Sequence, residues 1–164
     1  MNIVQAVTAD AAAILRLQRL AYQSEARLYG DDEIPPLTQT AIEIEQEFAR
    51  VVFLKARADD GSIVGSVRAY ERGGTCFIGR LIVHPDHQNQ GIGAKLMQEI
   101  EARFTHAERF ELFTGHRSER NLRFYRRLGY DTFKEERVTD ALTLIFLRKS
   151  NPVGRVKTVD EGHS

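Results

Sequence analysis

Only one cysteine, Cys76, occurs in the 164 residues, so no disulfide can form within the chain. Disulfides persist mainly in oxidising compartments, and their exclusion favours a reducing setting. Net charge is also missing, because 23 basic and 23 acidic residues cancel at pH 7. Nothing global therefore draws the chain to nucleic acid or to an anionic membrane. Apolar runs fall well short of the roughly 20 residues that span a bilayer. The opening stretch, MNIVQAVTAD, lacks the basic start and long apolar core of a secretory signal. The expectation is a soluble, cytoplasmic protein with no nucleic-acid or membrane partner.

What is present has the balance of a globular domain. Hydrophobic residues make up 42% and charged residues 28%, enough for one buried core in a chain of this length. NIVQAV predicts a first strand. Thr8 or Asp10 can cap a helix over 9–28 that carries Ile14, Leu17, Leu20, Ala21 and Leu28 at helical spacing. YGDDEIPP breaks that pattern. A second helix is expected over 38–50, after Thr38, with Ile42, Ile44 and Phe48 as its apolar positions.

The period then changes. VVFLKARA and SIVGSVRAYE flank DDG, a strong hairpin signal, and RGG turns the chain into a third strand, TCFIGRLIV. A helix over 91–104 follows, with Ile92, Leu96, Ile100 and Phe104 on one face. RFELFT predicts a strand, SERNLRFYRRLG a short helix closed by Gly129, and YDTFKEE and ALTLIFLRK two last strands. The order β-α-α-β-β-β-α-β-α-β-β predicts an α/β (α+β) fold, a mixed and largely antiparallel sheet with helices on both faces. One domain is expected over 1–148, with a flexible tail over 149–164.

HPDHQNQGIGAKL, residues 84–96, places glycines where a helix begins. A first helical turn leaves backbone N–H groups without internal partners, and the helix dipole adds positive character there. Gly91 and Gly93 remove side chains that would bar a ligand, so phosphate oxygens can reach those donors. A triphosphatase loop would need Gly-Lys-Ser/Thr, but Gly93 is followed by Ala94 and Lys95. A dinucleotide fingerprint would need a small residue at Leu96 and a tight turn after the strand. The bland alternative is a pair of glycines that start and pack a helix. His84 and His87 have metal-ligand spacing but no further ligand cluster, so no metal is expected.

LIVHPDHQNQGIGAKLMQEIE resembles motif A of the GCN5-related N-acetyltransferase (GNAT) superfamily, with Gln88, Gly91 and Gly93 at the pattern positions Gln/Arg-x-x-Gly-x-Gly/Ala. NLRFYRRLGY resembles its motif B, and the element order matches its core over about 1–148. The resemblance implies acetyl-CoA as cosubstrate. Its pyrophosphate would lie on the backbone of Gln88, Asn89, Gln90, Gly91, Ile92, Gly93 and Ala94, and its pantetheine arm along Leu81, Ile82 and Val83.

It also implies direct attack of an amine on the thioester carbon, with the N–H of Val83 receiving the developing oxyanion. Tyr125 stands where the family keeps a tyrosine acid. A phenol pKa of about 10 against about 8.5 for a thiol makes full proton transfer uphill but a strong hydrogen bond to the thiolate easy. Packing on the apolar face beside Leu122 is the structural alternative for Tyr125. Many members carry an asparagine seven residues before that tyrosine. Here the position is Ser118, which can also cap the helix, and Asn121 is a second candidate contact to the cofactor arm.

No general base is singled out; Glu71 and His116 are chemically suitable. In this fold the acceptor is bound near the first two helices, where Asp31, Asp32 and Glu33 could attract a cationic amine. The expected acceptor is a small-molecule or peptide amine, and a homodimer is compatible with the family. The rival function is a non-catalytic acyl-CoA-binding sensor or scaffold.

Overall fold

The structure is a computed structural model that describes residues 1–153. Seven strands form a mixed sheet in the order β1-β2-β3-β4-β5-β7-β6. They are β1 (Asn2–Gln5), β2 (Val52–Arg57), β3 (Ile63–Arg72), β4 (Thr75–Val83), β5 (Arg109–Gly115), β6 (Asp131–Arg137) and β7 (Thr143–Ser150). The helices are α1 (Ala11–Ala21), α2 (Gln23–Tyr29), α3 (Pro35–Thr38), α4 (Ala41–Glu47), α5 (Ile92–Arg103) and α6 (Glu119–Arg127). Among the described residues, no helix is long and apolar enough to cross a membrane. The described residues divide into two compact units: 1–70 with 79–100, and 71–78 with 101–153.

In the first unit β1, β2 and β3 pair antiparallel, and Gly61 at φ 86° closes the β2–β3 turn. Register assigns the faces. Phe53 lies opposite Arg68, and Ala56 opposite Gly65. Alternation along a strand puts these two pairs on opposite faces. Phe53 packs with Ala11, Ile14 and Leu15 of α1 and Ile44 of α4, and stacks on Phe48 at 4.1 Å between ring centroids. On the other face a methyl group at Gly65 would stand 2.9 Å from Leu96 and 3.1 Å from Ile92 of α5. Gly65 lets α5 sit tight on the sheet, and helices cover both faces of this unit.

Two expected helices came out differently. The helix expected over 9–28 stops at Ala21 and resumes at Gln23, because Tyr22 leaves helical geometry at ψ 2°. The face is re-phased there, and Leu20 and Leu28 are exposed. Neither expected cap bonds the start of α1. Asp10 instead accepts the N–H of Val7 and the ammonium of Lys55, both at 2.8 Å. The helix expected over 38–50 begins at Ala41, because Thr40 and Glu43 form a reciprocal capping box. The proline pair starts the separate short α3. Within α4 Ile44 is fully buried, whereas Ile42 is exposed.

In the second unit β7 pairs antiparallel with both β5 and β6, and the start of β4 pairs parallel with β5. Phe110, Leu112, Tyr130, Ile145 and Leu147 are among its buried side chains. β7 runs to Ser150, two residues past the expected boundary at residue 148. Asn151 is buried as well: its amide donates to the carbonyl of Ala107 at 2.8 Å and its N–H to Glu108 at 2.9 Å. The rest of the expected tail, 154–164, lies outside the described residues.

Candidate active site

Successive N–H groups of a strand point to opposite edges. The N–H of His84 donates to the carbonyl of Val64 on β3 at 2.8 Å. Those of Val83 and Leu81 therefore point to the edge away from β3. The parallel ladder to β5 comprises Thr75–Arg109, Cys76–Phe110 and Phe77–Glu111, and ends there, while β4 runs on to Val83. The donors of Leu81 and Val83 lie past the end of that ladder. Ile82 is buried and turned into the core.

The connection to α5 is built by its own side chains. Pro85–His87 forms a 3-10 turn in which His84 Nδ1 accepts the N–H of Asp86 at 3.1 Å, and the N–H of His87 reaches the carbonyl of His84 at 2.8 Å. Gln88, Asn89 and Gln90 are exposed. Asn89 (φ 64°) and Gly91 (φ 78°) take left-handed backbone, which glycine adopts without a Cβ penalty. The first helical bond of α5 runs from Lys95 N–H to Gly91 C=O at 3.1 Å. The N–H groups of Ile92, Gly93 and Ala94 thus stand ahead of the intrahelical ladder. A methyl group at Gly91 would meet no protein atom within 4 Å. The space at the Gly91 Cβ position is open, while the buried side chain of Ile92 ties the start of the helix to the core.

In the second unit α6 carries the motif B residues. Tyr125 is buried, its ring edge-on to Phe124 at 5.2 Å and to Tyr130 at 6.1 Å. Ser118 occupies the N-cap position, but its hydroxyl makes no cap bond. Asn121 donates to the hydroxyl of Thr114 on β5 at 3.3 Å. The two suggested bases differ. Glu71 is exposed at the end of β3. His116 accepts the N–H of Thr143 on Nδ1 at 2.9 Å. The carbonyl of Thr143 lies 3.2 Å from the same nitrogen.

Sequence spacing did not reveal the polar network that faces α1. Arg68 is buried on β3 and donates to Gln18 at 2.6 Å and Glu47 at 2.7 Å, with Phe53 under its guanidinium at 4.5 Å. Gln39 joins by accepting from Gln18 and donating to Glu47, both at 2.9 Å. Burial draws the pKa of Arg68 down to about 10, with Glu47 opposing. Tyr22 at the end of α1 lies within reach of the charges of Arg80 and Arg68. Burial pushes this phenol up, and the charges of Arg80 and Arg68 pull against it. Arg80 itself is held at φ 49°. A long-range apolar-to-polar pairing of this kind leaves no periodic mark. The acids Asp31, Asp32 and Glu33 are exposed, and Asp31 accepts the N–H of Glu33 at 2.8 Å, which shapes the turn.

Comparison with known proteins identifies the family. Residues 12–130 match the Acetyltransferase (GNAT) family. The chain is 27% identical over 134 residues to the UPF0157 protein YqkA of Bacillus subtilis, which covers 82% of the chain but 38% of that relative's length. The fold is similar to phosphinothricin acetyltransferase from Sinorhizobium meliloti, solved with acetyl-CoA, with a TM-score of 0.77 at 17% identity over 94% of this chain and 90% of that one. It is also similar to the Escherichia coli ribosomal-protein-S18-alanine N-acetyltransferase, with a TM-score of 0.73 at 17% identity over 92% and 93%. The PaiA N-acetyltransferase of Thermoplasma acidophilum, solved with coenzyme A, follows with a TM-score of 0.68 at 16% identity over 92% and 99%. The chain belongs to the Acetyltransferase (GNAT) family.

Proposed function

We propose that the protein transfers the acetyl group of acetyl-CoA to a primary amine of a small molecule or peptide. The observation that carries this reading is the left-handed Gly91, with open space at its Cβ position, directly before the first-turn donors of α5. That is a seat for a pyrophosphate, and family members of the same fold have been solved with acetyl-CoA or coenzyme A. The N–H of Val83, turned away from β3, is the proposed donor to the thioester oxygen.

A neutral amine attacks the thioester carbon, negative charge gathers on the carbonyl oxygen, and collapse breaks the C–S bond. The amine proton leaves to solvent or a base, and the departing thiolate takes a hydrogen bond or a proton from Tyr125. Ser118 and Asn121 are the proposed contacts to the cofactor arm; the bond of Asn121 to Thr114 turns it partly toward β5. The non-catalytic acyl-CoA-binding module is the second reading, favoured by the occupied Nδ1 of His116 and the exposed Glu71.

Incubation with labelled acetyl-CoA and a pooled amine library separates the two. Transfer of label to an amine is expected, and Tyr125→Phe should lower kcat by about 100-fold, the low end of general-acid contributions. Tight binding of acetyl-CoA with no label on any amine would favour the sensor.

A further inference from the structure

Tyr125 packs against a ring that the end of its own helix delivers. α6 closes on Gly129, whose backbone is left-handed at φ 97°. The N–H of Gly129 donates to the carbonyl of Arg126 at 3.0 Å, and that of Tyr130 to the carbonyl of Tyr125 at 3.1 Å. This pair of bonds is a glycine cap, which folds the residue after the glycine back onto the last turn of the helix. The buried Tyr130 ring thus stands edge-on to that of Tyr125, 6.1 Å between centroids.

The cap itself asks only for an apolar side chain at this position. Tyr130 adds a hydroxyl, which donates to Glu101 Oε2 in the last turn of α5 at 2.8 Å. Glu101 Oε1 accepts from the ammonium of Lys149 on β7, also at 2.8 Å. The same ammonium lies 5.4 Å from the centre of the Tyr130 ring. Burial, joined by the charge of Glu101, pushes the Tyr130 phenol above its ordinary value, so it stays a donor. Three polar groups are drawn out of water where a phenylalanine would serve the cap. The ring of Tyr130 is held at both ends, by the helix cap at its backbone and by a carboxylate at its hydroxyl.

We propose that Tyr130, held by Glu101 and Lys149, is a positioning residue that fixes the ring of Tyr125 for its role at the departing thiolate. This rests on the acetyltransferase reading and deepens it. A hydrogen bond to sulfur depends on distance and angle, so a Tyr125 ring free to rock would slow the chemical step and leave cofactor binding intact.

Tyr130→Phe removes one oxygen and keeps the ring. With an amine acceptor from the labelled pool, it should lower kcat by about ten-fold, a part of the general-acid contribution, with the KM for acetyl-CoA unchanged. Glu101→Leu should do the same, whereas Glu101→Gln keeps an acceptor for the hydroxyl and should retain most of the rate. In a Tyr125→Phe background, Tyr130→Phe should cause no further loss of kcat, because it acts through Tyr125. A merely structural role would lower stability without that dependence. Independently of turnover, NMR of ring-labelled tyrosine should show the Tyr125 ring flipping faster in Tyr130→Phe than in wild type. Unchanged flipping, or equal losses of kcat with and without the Tyr125 hydroxyl, overturns the proposal. Label that reaches no amine defeats the acetyltransferase reading, whereas transfer that Tyr130→Phe does not slow defeats this inference alone.

Discussion

The N–H of His84 donates to the carbonyl of Val64 at 2.8 Å, and this bond sets the direction of the N–H of Val83. Had the register slipped by one residue, His84 would face away from β3 and Val83 would be spent on the ladder. The candidate oxyanion donor is thus a consequence of strand pairing at a neighbouring residue. The same run of chain then passes through a turn of its own making to the donors that open α5.

Gly91 should separate backbone strain from ligand access. Gly91→Ala is expected to weaken coenzyme A by about ten-fold and Gly91→Val by more, because a side chain enters the space that one or two charged hydrogen bonds require. Gly61→Ala serves as the control. It bears a similar φ of 86° in the β2–β3 turn, also with no atom near its Cβ position. It should lose stability but keep its affinity. Calorimetric affinities unchanged in the Gly91 variants would remove the proposed phosphate seat.

Arg68→Ala should destabilise the chain by about 3–5 kcal/mol, the cost of removing one member of a buried ion pair. Glu47, Gln18 and Gln39 would lose their shared donor. Urea unfolding measures this, and a loss below 1 kcal/mol would mean that water replaces the guanidinium. Arg68→Met is expected to cost less than Arg68→Ala, since it keeps the contact with the Phe53 ring.

Asp10 gives a pH dependence with a defined sign. Burial pushes its carboxyl up, but the bonds from Lys55 and Val7 and the charge of Arg57 together leave it below the ordinary carboxylate value. A depressed folded pKa contributes stability above the unfolded value and loses it as pH falls through the folded one. Asp10→Asn should therefore cost about 1 kcal/mol at neutral pH, as for a partly exposed ion pair. The difference from wild type should vanish in acid below the folded pKa. A difference that persists unchanged at that pH would show that the amide, not the lost charge, causes it.

The local features were legible because their causes lie within a few residues. DDG placed the β2–β3 turn, and the glycines at 91 and 93 marked the start of α5. Thr40 and Glu43 already stood at capping-box spacing, but the prolines at 35 and 36 and the apolar spacing suggested an earlier start. The break at Tyr22 had no such mark. A helix can end without proline or glycine, and the re-phasing at Tyr22 leaves Leu20 and Leu28 exposed.

The sequence by itself determined the sheet-and-helix order, the glycine loop and the position of the candidate tyrosine, since each depends on turn chemistry or on side-chain period along the chain. Only the tertiary structure decided where the Val83 donor points, that Nδ1 of His116 is occupied by Thr143, and that Arg68 meets Gln18 and Glu47. These depend on which distant groups the register brings within about 3 Å, and side-chain spacing along one strand or helix carries no record of its partner.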